Sequence, residues 1–512
     1  MDTYPPDSLV PITLQALEHP EELLHAMLQL RQEVVQEGQA QFEAWKPVIQ
    51  RRSACISALN LAYYLALRRR DLRSLQAALS AWGLSSLGRI EPHVLPNLDA
   101  VIATLSDISR DRHHAEGAPL MPEIPPRPRS RQFNRGDHML AHHTAEVFGG
   151  LTNGRRVRIM VTLPTEAAED YGLVLELMKR GMNCVRINCA HDSPVEWEKM
   201  VAHVHRAQKE TGQICKIAMD LGGPKSRTAD LIKPKRKLIY KDDTILLTRS
   251  KPKKSDKYTA QARCTLTQAL DQIAVGERVF FDDGKIGTVV EKILPEGLAL
   301  RVVRARDEGE KFKKDKGVNF PDTELNLSAL TAKDLSDLDF VALHADMVNF
   351  SFVQEVDDIH RLQAELAMRM EDQRKIAIIA KIETPRAIRN LPDLIVHSTG
   401  AQPFGVMIAR GDLAVEIGWE RMAEMQEQIL WICEAAHVPV IWATQVLENL
   451  AKEGLPSRAE ITDAAMAQRA ECVMLNKGPY IVDAVEILDN VLRRMQAHQS
   501  KKTPQLRALK SW

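Results

Sequence analysis

The stretch AIIAKIETPRA, residues 377–387, decides how the chain is read. It opens as a short, continuous apolar run, the pattern of a strand buried on both faces. It closes on Thr384 and Pro385, residue types that end a strand and open a helix. Between them stand Lys381 and Glu383. Strand side chains alternate with a period of two, so this cation and this anion share one face of the strand end. Taken alone, the pair is an ordinary solvated strand end with a salt bridge. The pattern on either side decides whether it is more.

From Arg155 onward the same texture recurs. The apolar runs VRIMVTL, NCVRINCA, KIAMDLG, DMVNFSF, IAIIAKI, GVMIAR, VPVIWAT and CVMLN alternate with helical patterns. Eight strand–helix units predict an α/β fold, a closed (β/α)8 TIM barrel, with an open doubly wound sheet as the competitor. The third helix, TAKDLSDLDFVALH, is delayed by residues 225–318. Within them KLIYKDDTILLTR, ERVFFDDGKIGTVVEKIL and LALRVVRAR read as antiparallel strands. So long a segment does not stay structureless in a compact enzyme, and it reads as a small β domain inserted after the third strand. The barrel then divides into 155–224 and 319–498, with a tail at 499–512. Residues 1–112 read as a helical N-terminal extension. Its Arg68, Arg69 and Arg70 fit the solvated face of a bundle better than a nucleic-acid site. Residues 113–154, rich in Pro and Arg, read as a linker, with His113, His114, His138, His142 and His143 solvated.

Composition narrows the function classes. The 512 residues suit several domains, and 45% hydrophobic with 27% charged residues is a soluble globular profile. Lys plus Arg equals Asp plus Glu at 68 each, which gives no support for nucleic-acid or anionic-membrane partners. No run approaches the roughly 18–20 apolar residues of a membrane span. The N-terminus MDTYPPDSLVPITLQ lacks the basic and apolar regions of a signal peptide. Seven scattered cysteines without a C-x-x-C pair fit reduced thiols in the cytoplasm and no structural zinc.

In a barrel, functional groups collect at the C-terminal strand ends. Those ends carry Arg186 and Asn188, Asp220, Ser351, Lys381 and Glu383, then Arg410, Gly411 and Asp412, then Thr444 and Gln445. Six polar ends converging on one face are not explained by solvation. Glu383 and Asp412 are hard oxygen ligands on neighbouring strands, suited to Mg²⁺ or Mn²⁺ completed by water and substrate oxygens. Lys381 beside such an ion would stabilise a highly anionic group such as a phosphoryl in transfer. Arg186 adds an always-charged clamp, and Gly411 lets backbone approach a ligand.

These segments resemble the pyruvate kinase family over residues 155–495. The resemblance is carried by MNCVRINCAHD, MDLGGPKSRT, FFDDGKIG, KGVNFP, ALTAKDLSDL, NFSFVQ, IIAKIET, VMIARGDLAVEIG, VIWATQVLE and PSRAEITDAA. It implies a TIM barrel with a β-barrel lid, and a glycolytic kinase that moves a phosphoryl group from phosphoenolpyruvate to ADP, giving pyruvate and ATP. By motif, Lys381 would stabilise the phosphoryl, Glu383 and Asp412 would hold Mg²⁺, and Arg186 would bind the phosphate. Thr444 would help bind the carboxylate and support protonation of the enolate carbon, Gly411 would offer backbone to the carboxylate, and Ser351 would line the substrate site. Asn188, His191 and Arg227 would face the nucleotide, with Lys316 reaching its phosphates when the lid closes. A homo-oligomer is compatible with this resemblance.

The sequence also departs from the family. Ala190 stands where a serine hydroxyl usually helps bind K⁺, and Leu221 replaces a frequent threonine. Lys225 stands where K⁺-dependent members carry Glu, so the resemblance implies a K⁺-independent enzyme in which Asn188, Asp220 and Lys225 form the monovalent site or its substitute. Gly222 replaces a lysine, and LNKGPYIVDAV replaces the Ser-Gly-Glu-Thr loop after strand eight, which bears on the choice of nucleotide. The family's C-terminal effector domain is not expected here. Two other readings stay open: a barrel enzyme passing the phosphoryl or enolate to a different acceptor, and a catalytically silent scaffold using the helical extension.

Overall fold

The computed structural model describes residues 19–110, 123–151, 154–234, 236–370 and 375–505. His113 and His114 lie outside the described residues. The alternating pattern resolves into a closed barrel of β1 (Arg158–Thr162), β2 (Cys184–Asn188), β3 (Lys216–Asp220), β4 (Met347–Phe350), β5 (Ala377–Ile382), β6 (Phe404–Ala409), β7 (Val440–Ala443) and β8 (Cys472–Leu475). All pairings are parallel, and β8 closes on β1 with Arg158 opposite Cys472. The open sheet is thereby excluded. Inward residues form their own core, including Met160, Cys184, Ala218, Met347, Ile379, Met407, Ile441 and Met474. Unbranched methionines and small residues fill the tapering space, so the interior is packed rather than hollow. Charged side chains are thereby confined to the open ends.

One end is stoppered by a segment whose composition suggested a linker. Within 113–154 the chain forms α5 (Arg135–Phe148), whose Val147 and Phe148 join the barrel's interior core. The stopper is hard to read because half of its buried face, Gly136, His143 and Thr144, is not apolar. His138 and His142 are exposed, as solvated histidines would be, but His143 is buried and its Nδ1 meets the His437 carbonyl at 2.8 Å. At Gly136 a Cβ would lie 2.1 Å from the Pro92 carbonyl oxygen, so only glycine allows α5 to cross there.

The N-terminal extension forms α1 (Pro20–Trp45), α2 (Arg52–Arg68), α3 (Arg73–Ala81) and α4 (Val94–Arg110). It docks on the barrel helices α6 (Leu391–Ala401) and α8 (Trp419–Ala435); α7 (Arg410–Ile417) lies between them in sequence. Trp45 Nε1 donates to Asp393 at 2.7 Å, and Asn60 Nδ2 donates to the Ala435 carbonyl at 2.8 Å. His437 bridges Ser57 Oγ and the Pro92 carbonyl, each at 3.0 Å. Burial pushes its pKa down to about 4, so it serves as a neutral tie. The basic patch is engaged internally: Arg70 pairs with Glu33 at 2.9 Å and with Glu37 at 2.5 Å.

The insertion is a seven-stranded sheet with a separate core around Ile245, Leu247, Val279, Phe281, Leu298 and Leu300. Its two edge strands, Thr228–Ile232 and Val318–Asn319, approach each other where Arg227 bridges Gly317, nearly closing the sheet on itself. The tail is not featureless either. Gln499–Ser500 pairs with Thr503–Pro504 in a short hairpin.

Candidate active site

Each barrel strand delivers its polar terminus to the face from which the lid departs. At the end of β2, Arg186 donates to Thr162 Oγ1 at 3.1 Å and closes on Asp220 Oδ2. Burial drives the Asp220 carboxyl up, but Arg186 and Lys381 outweigh it and hold the group below the usual carboxylate range. Lys381 Nζ donates to Ser351 Oγ at 2.6 Å, lies 3.1 Å from Glu383 Oε1 and 3.7 Å from Asp220 Oδ1. Burial works against its charge, yet Asp220 and Glu383 keep its pKa raised, so the ammonium stays protonated. Lys381 and Glu383 thus form a buried ion pair, with Glu383 only 2% exposed.

Glu383 Oε2 also accepts the Phe352 N–H at 2.7 Å. Burial and the charge of Asp412 push the Glu383 carboxyl up, while Lys381 opposes them. Asp412, one turn into a helix that starts where β6 ends, is held by Lys225, whose Nζ lies 2.7 and 2.9 Å from its two oxygens. The two carboxylates are the hard oxygen donors that a small divalent cation takes. Among the described residues no cluster of three or more His, Cys, Asp or Glu is arranged to hold a metal, here or elsewhere, so an ion at this point would rest on these two carboxylates. Two protein carboxylates suffice for Mg²⁺, which retains waters, so these residues fit such an ion.

After β7 the backbone is strained. Thr444, Gln445 and Leu447 have φ of 66°, 58° and 48°. A β-branched residue at positive φ is an outlier that surrounding structure has to enforce. Arg410 does this: its guanidinium donates to the Ala443 carbonyl at 2.9 Å and the Thr444 carbonyl at 2.6 Å, and is itself held by Asp463. The result turns Thr444 Oγ1 toward the Gly411 N–H, 2.9 Å away.

Arg186, Asn188 and His191 line a neighbouring cavity of about 230 Å³ together with Thr162 and Lys477. Burial, then Lys477 and Arg227, holds the His191 pKa below its ordinary value. The Asn188 side chain accepts from the Ala190 N–H at 3.0 Å. Arg227 and Lys316 are engaged within the lid, with the Asp315 carbonyl at 3.1 Å and Asp282 at 2.9 Å. Lys225 reaches Asp412 and has no hydrogen bond to Asn188 or Asp220, so the expected monovalent-site trio is not gathered by direct contacts.

Sequence reasoning missed three groups. Thr162 closes β1 with a polar residue, a signal the sequence carries in the strand's last position. Lys477 lies in the loop already marked as divergent. Glu416 is four residues beyond Asp412 on α7 and accepts from Asn319 Nδ2 of the last lid strand at 2.9 Å. Burial pushes its pKa up to about 7, and Asp412, Asp322 and Glu383 add to this against the Asn319 bond.

The family model described as pyruvate kinase, barrel domain, matches residues 154–485. The chain belongs to the pyruvate kinase family. It is 30% identical over 355 residues to a pyruvate kinase of Geobacillus stearothermophilus, covering 67% of this chain and 57% of that one. It is 34% identical over 347 residues to pyruvate kinase PKLR of Rattus norvegicus, covering 65% and 58%. A pyruvate kinase of Trypanoplasma borreli is 30% identical over 370 residues, covering 71% and 70%. The chain therefore spans less than three fifths of the length of the first two relatives. No described helix is long and apolar enough to cross a membrane.

Proposed function

We propose that this pyruvate kinase family member transfers the phosphoryl group of phosphoenolpyruvate to a nucleoside diphosphate, with ADP as the first acceptor to test, giving pyruvate and the triphosphate. The observation that carries the reading is Lys381, a buried ammonium kept charged among Asp220, Glu383 and Ser351. A fixed positive charge in a site that excludes water stabilises charge as it develops, without reorganisation during reaction.

Arg186 and Lys381 hold the phosphoryl oxygens from two sides. The ester P–O bond breaks, an acceptor oxygen bonds to phosphorus, and the enolate left behind takes a proton at carbon. Thr444, oriented by Arg410, supports that protonation, and Gly411 offers its N–H to the substrate carboxylate. Glu383 and Asp412 would hold Mg²⁺ or Mn²⁺, which would supply positive charge to offset the anionic substrate. Asn188 and His191 face the acceptor, with Arg227 and Lys316 approaching from the lid. Lid closure excludes water and so favours transfer over hydrolysis. Lys225 brings a permanent positive charge to this site, which supports independence from K⁺. All seven cysteines are free thiols, which supports a cytoplasmic location.

The test is pyruvate formation from phosphoenolpyruvate with Mg²⁺ and a panel of nucleoside diphosphates, with Lys381→Met as the control. Pyruvate formed only with a diphosphate, and lost in the control, supports the reading. No pyruvate with any acceptor refutes it.

A further inference from the structure

Overall neutrality hides a division of charge. Residues 225–318, which form the lid, hold 23 Lys and Arg against 14 Asp and Glu, an excess of nine positive charges. The totals are 68 of each, so the rest of the chain carries the opposite excess of nine. Within the lid the lysines gather in two loops. Residues 251–257 contain Lys251, Lys253, Lys254 and Lys257 against Asp256, and residues 311–316 contain Lys311, Lys313, Lys314 and Lys316 against Asp315. All eight lysines except Lys316 are exposed. Among the described residues only Lys316 of the eight is held in an ion pair, with Asp282 at 2.9 Å.

Both loops flank the edge strand Thr228–Ile232. Thr228 Oγ1 donates to the Lys313 carbonyl at 2.8 Å, and the Thr228 N–H donates to the Lys316 carbonyl at 2.9 Å. The other loop leads into the strand Ala260–Cys264, which pairs with the edge strand so that Ala229 faces Arg263. The two loops meet at Asp230. Arg263 Nε donates to its carboxylate at 2.5 Å, and that bond, with the charges of Lys251 and Lys314, holds the carboxyl below its usual range. The residue before the edge strand is Arg227, whose guanidinium donates to the Asp315 carbonyl. Its charge reaches His191 in the cavity beside Arg186. Positive charge is therefore continuous from the lysine loops, along the edge strand, to the acceptor cavity. A surface that has only to stay soluble mixes both signs.

We propose that the two lysine loops form an electrostatic collecting surface that guides the phosphate groups of the acceptor along the lid into this cavity. The inference rests on the acceptor reading above and adds how the acceptor arrives. A patch of one sign raises the local concentration of an oppositely charged ligand and speeds its encounter by about ten- to a thousand-fold, an effect that salt screens away. The negative excess on the rest of the chain repels the same ligand, so encounters are directed to the lid.

The test is stopped-flow association of N-methylanthraniloyl-ADP with the full chain, with and without Mg²⁺, over a range of NaCl concentrations. The association rate should fall steeply with salt. Lys251→Glu with Lys314→Glu should lower the low-salt association rate about ten-fold and flatten its salt dependence, leaving dissociation within about two-fold. Lys251→Gln with Lys314→Gln should lower it about three-fold, and carries the test if the reversed variant does not fold. Lys179→Glu with Lys209→Glu makes the same change in net charge at helix ends that lead into the starts of β2 and β3, on the opposite face of the barrel. That variant should keep the association rate within about two-fold, because the added charges lie beyond the reach of screened electrostatics. An association rate indifferent to salt or to lid charge in folded variants, a loss carried by dissociation, or an equal loss in the distant variant overturns the proposal and leaves the acceptor reading standing. Absence of nucleotide association at every salt concentration, with and without Mg²⁺, overturns both.

Discussion

Replacing Lys225 by methionine should tighten divalent-metal binding to the substrate-free protein by about ten-fold. Lys225 Nζ lies 2.7 and 2.9 Å from the two oxygens of Asp412, the oxygens a metal would need. At the shorter distance the bare Coulomb attraction is about 6 kcal/mol for an effective dielectric of about 20. A metal does not have to overcome all of that, because the displaced ammonium regains water. The side chains are 27% and 17% exposed, so screening lowers the net worth of the pair to roughly 1.5 kcal/mol. That corresponds to one factor of ten in an equilibrium constant. Methionine keeps an unbranched stem and removes the charge, so both the competitor and its repulsion of the cation disappear. Titration calorimetry with Mn²⁺, without substrate, reads the affinity independently of turnover. A dissociation constant within about two-fold of the unmutated protein would refute the reasoning, since Asp412 would then not bind the metal or Lys225 would not compete for it. Weaker binding would refute it as well, by showing that the lysine organises the site.

Three further outcomes follow from the same geometry. Lys381→Met should leave the fold intact and lower turnover on the order of a hundred-fold or more, measured as steady-state pyruvate formation; a change of only a few-fold would remove Lys381 from the proposed role. The unmutated enzyme should be almost as active without K⁺ as with it, whereas Lys225→Glu should lose most K⁺-free activity. Strong K⁺ activation of the unmutated protein would contradict this substitution of charge. Glu416→Gln should stabilise the metal-free protein at alkaline pH. The folded-state pKa of Glu416 is about 7 against an unfolded value of 4.5, so the native state binds more protons between those values. The resulting loss of stability grows as pH rises from 4.5 to 7 and is complete above 7, on the order of 3 kcal/mol. Thermal unfolding of both proteins across that range should show the gap widening with pH; a constant gap would exclude Glu416 as its source.

What the sequence disclosed, and what it withheld, follows from how local each determinant is. Eight apolar runs specify eight strands because burial on both faces leaves few alternatives for a short run. A strand end also fixes which way its last side chains point, which is why Lys381, Glu383 and Ser351 could be placed at one rim. Partners across the fold are another matter. Asp412 could be read as a candidate ligand from its position after β6, but the cation facing it comes from residue 225, at the root of the lid. Only the path of the lid decides that Lys225 meets Asp412 instead of Asn188 or Asp220. Glu416 was hidden for the same reason: on a helix surface it looks like any solvated acid until Asn319 of the lid covers it. Helix α5 failed differently. Its buried positions 136, 140, 143, 144, 147 and 148 keep helical spacing, but Gly136, His143 and Thr144 are not apolar, so hydrophobicity alone marks the stripe weakly. Both hidden carboxyl contacts, Lys225 on Asp412 and Asn319 on Glu416, join the lid to the one helix that starts where β6 ends.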